Sequence, residues 1–208
     1  SAKIKELVQR TKELGMDSIA ITDHGVMFGA IDFYKEAKNN GIKPIIGCEV
    51  YVAPRTRLDK EKEDSRANHL VLLAENMVGY QNLIKMVSVG FTEGFYRRPR
   101  IDIDLLRENC EGIIALSACL AGPVSRLILE EQYEKAKQIA LLYDDILGRG
   151  NFYLELQDHG MNEQKIVNQQ MIRLSKETGI PLVATNDVHY IYAEDAQAHE
   201  ILLCIQTG

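Results

Sequence analysis

A recurring unit constrains this chain more than any other feature. A helix-spaced stretch ends at a glycine, a short apolar run follows, and the run closes on polar residues of the kinds that bind metals. The unit can be read at Gly15 before SIAIT, Gly41 before KPIIG, Gly112 before IIALS, Gly150 before NFYLEL and Gly179 before IPLVA. Glycine suits these positions because it accepts the left-handed conformation that ends a helix. His69–Ala74 (HLVLLA) is a further strand without the glycine. About six strands alternating with helices predict an α/β fold with parallel strands and crossover helices. The runs are almost wholly apolar, as expected when both faces of a strand are covered. Ile4, Leu7, Val8 and Leu14, with Thr11 on the same face, predict an opening helix. A second helix is expected from about Met27 to Asn40, then a strand over 44–52 with Glu49 inside it.

Composition narrows the class. At 208 residues, 46% hydrophobic and 26% charged, one domain over 1–208 is the expectation. No apolar run approaches the roughly 20 residues of a membrane span. The first residues read as an amphipathic helix rather than a signal peptide. Cys48, Cys110, Cys119 and Cys204 show no CxxC spacing, which points to a reducing, cytoplasmic compartment. A formal net charge of −6 argues against broad, non-specific nucleic-acid binding. Two segments break the alternation. Residues 53–68 carry mixed charge and are expected to form a solvated surface loop. Residues 91–100, FTEGFYRRPR, offer two readings. Arg97, Arg98 and Arg100 contact phosphate while Phe95 or Tyr96 stacks on bases, or the segment is a basic loop anchored by a buried aromatic.

In a parallel α/β sheet or barrel, active sites lie at the carboxyl ends of the strands. SIAIT delivers Asp23 and His24 there, PIIGCE delivers Glu49 beside Cys48, and IIALSA delivers Ser117 and Cys119. FYLELQ delivers Asp158 and His159, with Glu155 on the strand, and LVATN delivers Asp187 and His189. His69 opens its strand, so strand-end geometry alone puts it on the opposite rim. Each residue has an ordinary alternative. A histidine after a strand is often a hydrogen-bonded turn residue, a glutamate pairs with a lysine or arginine, and a lone cysteine is a small core side chain. Jointly these alternatives are less attractive, because carboxylates and imidazoles gathered on one rim repel or desolvate one another unless cations hold them. A polynuclear metal site, suited to activating water and clamping phosphoryl oxygens, is the expectation. No P-loop, GxGxxG or serine–histidine–acid arrangement is present, which favours phosphoester hydrolysis over acyl or nucleotide-driven transfer.

The segments ITDHG (21–25), GCEVY (47–51), NHLVLLAEN (68–76) and ATNDVHY (184–190) resemble the polymerase and histidinol phosphatase (PHP) family. GYQNLIKMVS (79–88), GFYRRPRID (94–102) and LSACLAG (116–122) narrow the likeness to the PHP domains of bacterial DNA polymerase III alpha subunits. The resemblance implies a distorted seven-stranded, TIM-like β/α barrel with a cluster of about three divalent ions, zinc or manganese. By motif it implies metal ligands at His24, Glu49, His69, Cys119, Asp187 and His189, with His24, Asp187 and His189 needed for catalysis. It overrides the strand-end placement of His69; His159 and Glu155 match no ligand motif. It further implies DNA and the remaining polymerase domains as partners in DNA-directed DNA synthesis. The activity implied is a 3′–5′ exonuclease, or phosphoesterase, that proofreads. Two alternatives are a structural module that docks a separate proofreading exonuclease and a histidinol-phosphate-type phosphatase; RRPR and GYQN argue against the latter. The family's first strand, with its His-x-His, is not in this sequence. The expectation is a barrel lacking that strand, with weakened metal binding and little activity.

Overall fold

The structure, a computed structural model, describes residues 2–207. In chain order the elements are α1 (Ile4–Glu13), β1 (Ser18–Ile21), α2 (Ala30–Asn39), β2 (Lys43–Val52), β3 (Asn68–Ala74) and α3 (Met77–Thr92). There follow β4 (Arg100–Ile101), α4 (Ile103–Glu108), β5 (Ile113–Leu116), α5 (Pro123–Leu129) and α6 (Tyr133–Leu147). The chain continues through β6 (Phe152–Leu156), α7 (Asn162–Thr178), β7 (Leu182–Ala184) and α8 (Ala196–Thr207). This is the expected α/β alternation, and local chemistry accounts for the boundaries. Asn76 and Asp102 cap α3 and α4 by accepting from the backbone N–H groups of Gly79 and Leu105. Pro123 opens α5, where its missing N–H is not needed. Gly179 closes α7 at φ 79°, a left-handed conformation that a side chain would resist.

The chain divides into two compact units. One holds α1, β1, α2, the first residues of β2, and the segment from Asp187 onward. Val8, Thr11, Ala30, Phe33 and Ala37 are its buried side chains on α1 and α2. The Lys43 N–H donates to the Asp17 carbonyl at 2.7 Å and ties the start of β2 to the approach to β1.

The other unit comprises Thr22–Met27 and Ile46–Asn186. Its strands run in the order β2, β3, β5, β6, β7, with β4 paired to β2. The pairs β5–β6 and β6–β7 are parallel, as expected, and β2 also pairs in parallel with β4, a strand that the sequence did not suggest. β3 departs from the expectation: it is antiparallel to both β2 and β5. The reason lies in the connection. A parallel pair needs a crossover, whereas residues 53–67 between β2 and β3 hold only a short 3-10 turn, Lys62–Ser65. The chain therefore reverses.

Alternation along the strands sorts the unit into two faces. Cys48, Val50, Val52, Leu70, Leu72, Ile113, Ala115, Phe152 and Leu154 point into the main core, packed against residues of the helices. The opposite face presents a smaller apolar patch of Val71, Leu116 and Ala118, flanked by Leu73, Tyr153 and Val183. Glu49, Tyr51, His69 and Glu155 fall on that second face by the same alternation.

The loop at 53–67 is not simply solvated. Arg100 is fully buried and donates to the carbonyls of Gly94, Asp64, Arg57 and Asp59. Arg55 forks onto the buried Asp64, and Arg57 pairs with Asp102 and Glu93. The mixed charge that reads as a solvated surface is here an internal clamp. It also removes Arg100 from any contact with phosphate. The RRPR segment is anchored by a buried arginine rather than a buried aromatic.

Candidate metal centre

Glu49 lies near the end of β2 with 4% of its surface exposed. Residues 22–25 run beside it: the Glu49 N–H donates to the Asp23 carbonyl at 3.1 Å, and the Gly25 N–H donates to the Glu49 carbonyl at 2.9 Å. This bridge sets His24 opposite Glu49, with His24 Nδ1 at 3.7 Å from Glu49 Oε1. The antiparallel register pairs Tyr51 with His69 and Glu49 with Val71. His69 is thus one diagonal step from Glu49 on the same face, and its Nδ1 meets Glu49 Oε1 at 2.6 Å. The reversal of β3 is what brings the opening residue of that strand to the end of β2.

Cys119 arrives from the loop after β5. Ala118 adopts φ 62°, a left-handed turn that is costly for a side chain and that redirects the chain after the strand. Cys119 Sγ sits 4.0 Å from Glu49 Oε1 and 3.8 Å from His69 Nδ1. The loop is tied to the start of β3, where the His69 N–H donates to the Ala121 carbonyl at 3.1 Å. Arg126 on α5 donates to the Ala67 carbonyl and the Asn68 side chain, holding the same end.

Four of the six sequence-predicted ligands, His24, Glu49, His69 and Cys119, therefore converge. Ligand atoms of His24, Glu49 and His69 all lie within 4.8 Å of one another. The donor set is one buried carboxylate, two imidazoles and a sulfur, a mixture that suits a divalent ion of borderline softness. The chemistry fits for a second reason. A carboxylate this deeply buried needs a cation, and its nearest basic groups are the His24 and His69 imidazoles. Tyr51 closes the site from the side, its ring edge-on to His69 at 5.1 Å and stacked with His24 at 6.3 Å. No sequence signal singled out Tyr51; its position two residues after Glu49 on a strand was the available clue.

Cys48, adjacent to Glu49, points the other way. Burial pushes its thiol up to about 12, and it donates to the Asp23 carbonyl at 3.3 Å. It is a core side chain. His159 uses both ring nitrogens: Gln164 Nε2 lies at 2.9 Å from Nδ1 and the Asn186 carbonyl at 2.9 Å from Nε2. That pairing fits a neutral ring protonated on Nε2 and acting as a structural link. Glu155 accepts from Gln157 and from the Thr185 hydroxyl, while Ser117 accepts from the Glu155 N–H. Another acidic group, Glu61, Glu63 and Asp64, also gathers donors, but Arg55 pairs with each of the three.

Asp187 and His189 belong to the other unit. Asp187 has φ 44°, and His189 Nδ1 lies 2.8 Å from the Asp187 carbonyl and 3.8 Å from its carboxylate. The His189 ring stands edge-on to His199 of α8 at 5.7 Å.

A mixed α/β sheet that gathers a carboxylate, two imidazoles and a thiol at the ends of its strands defines the class. The chain belongs to the PHP domain family, which it matches over residues 1–159. Along its whole length it is 49% identical to the DNA polymerase III alpha subunit of Borreliella burgdorferi and 46% identical to that of Treponema pallidum. It spans 18% of the length of each of these relatives. Among solved structures, a candidate metal-dependent phosphoesterase from Bifidobacterium adolescentis aligns with TM-score 0.46 at 12% identity, covering 98% of this chain and 91% of that one. No helix among the described residues is long and apolar enough to cross a membrane.

Proposed function

We propose that this chain is the PHP domain of a bacterial replicative DNA polymerase alpha subunit and that its Glu49 cluster is a divalent-metal phosphoesterase centre. The observation that carries the reading is the convergence of His24, His69 and Cys119 on the buried Glu49. Asp187 and His189 complete the ligand set, and zinc or manganese is the ion, in up to about three sites. A bound divalent ion would supply Lewis acidity toward a phosphoryl oxygen and acidify a water. The protein's own part is to hold the donors. Glu49 supplies a fixed buried charge, His69 and His24 open the site toward solvent, and Tyr51 fixes both rings. His24, Asp187 and His189 are the residues on which catalysis depends.

The substrate is the 3′ end of a DNA strand, and the reaction is 3′–5′ hydrolysis in support of proofreading. The remaining polymerase domains, DNA and a separate exonuclease subunit are the partners, and the compartment is the cytoplasm. The test uses the complete polymerase. His24→Ala and Asp187→Ala should lower chelator-sensitive nucleotide release from a mismatched primer by at least about 100-fold, in the range typical of lost catalytic groups, while nucleotide incorporation persists. Release that survives both substitutions and a chelator would overturn the reading.

A further inference from the structure

We propose that Arg98 is an anion-binding residue that seats a phosphodiester of a single nucleic-acid strand beside the Glu49 cluster; the proposal rests on reading that cluster as a phosphoesterase centre. The RRPR loop lies against the turn that carries His24. A Cβ on Gly25, the residue after His24, would come within 3.0 Å of both Pro99 Cγ and the Tyr51 ring. Glycine at that position is what lets the two loops touch. Tyr51 then links the site to the loop: its ring contacts His24 and His69, and the Arg98 guanidinium stands over it at 5.5 Å. One aromatic ring separates the cation from both imidazoles.

Three other arginines nearby are already committed. Arg55 and Arg57 are held by carboxylates, and Arg100 is buried on four carbonyls. Arg98 is exposed and, among the described residues, forms no ion pair. Its backbone is fixed by the Tyr96–Arg98 bridge and by the Arg100 clamp that follows. A guanidinium laid over an aromatic face keeps its edge N–H groups for a bidentate anion. The partner is phosphate because a planar guanidinium fork matches its oxygens, and a fixed cation beside the single buried carboxylate offsets that charge for an anionic strand. Arg97 is a useful contrast, since it lies over Tyr96 rather than over Tyr51.

The experiment measures binding of fluorescent pentathymidylate to the full chain in chelator, by anisotropy across a salt series. Arg98→Ala should weaken binding about tenfold and lower the salt slope by about one. Arg98→Lys should retain most of the affinity, and Arg97→Ala should change it by less than about twofold. Inorganic phosphate should compete. Equal binding by Arg98→Ala and the parent, equal losses at positions 97 and 98, or no binding by the parent would each overturn the proposal. Zinc content of the complete polymerase, measured before any chelator is added, separates the two readings. Strand binding through Arg98, beside a complete polymerase that takes up no metal, keeps this inference and removes the phosphoesterase reading. Metal uptake and nucleotide release that ignore Arg98 do the reverse. Loss of zinc in Arg98→Ala would mean that the residue only supports the fold, and would also overturn the proposal.

Discussion

At Glu49, burial and charge work against each other. The carboxylate is nearly solvent-free, and the imidazoles beside it neutralise it only when one of them is protonated. A metal ion removes that conflict. Glu49→Gln keeps the shape and removes the charge, so metal content of the complete protein should fall at least about tenfold while its melting temperature in chelator holds or rises. Elemental analysis and a thermal melt read the two effects separately. Arg100 is the opposite case, a buried cation fully used. Arg100→Met would leave the carbonyls of Gly94, Asp64, Arg57 and Asp59 without this donor, and unfolding in urea should show a loss of about 3 kcal/mol or more. At this scale the sequence was uneven. His24, Glu49 and Cys119 were legible as strand-end residues. His69 was not, except through its motif. Arg100 read as surface charge because burial of an arginine depends on distant carbonyls that no local pattern reveals.

At the scale of elements, two ion-pair knots hold the structure, one inside the 53–67 loop and one between α6 and α7. In one, the Arg55 guanidinium holds Asp64 down to about 2. In the other, Lys137 on α6 and Arg173 on α7 hold Glu177 down to about 2. Both carboxyls bind fewer protons folded than unfolded, where they titrate near 3.8 and 4.5. Their contribution is therefore complete above about pH 4.5 and is lost as pH falls toward 2. Urea midpoints should drop steeply over that window, and Glu177→Gln should flatten part of the drop. A midpoint unchanged between pH 6 and pH 3 would show these pairs to be inert. The helices and most strands were readable because glycine stops and apolar runs are local signals. β4 was not, since a two-residue strand has no periodicity and exists only because β2 lies alongside.

At the scale of the whole molecule, the metal is expected to be part of the fold as well as the chemistry. An ion that binds only the native state raises stability with its concentration. Chelation of the complete protein should lower its melting temperature by several degrees, and zinc or manganese should restore it. Calorimetry with and without chelator checks this, and His69→Ala should abolish the difference. The α/β alternation, the helix stops and three of the four converging side chains can be read from the order of residues alone. Those depend on short-range periodicity and backbone preference. The direction of β3 was decided only in three dimensions. Strand pairing is a long-range choice, settled here by a connection too short in helix to make a crossover. That one reversal turns His69 from a residue on the wrong rim into the nearest neighbour of Glu49. The same packing sets Tyr51 against both histidines and Pro99 against Gly25, placing Arg98 one ring away from the site.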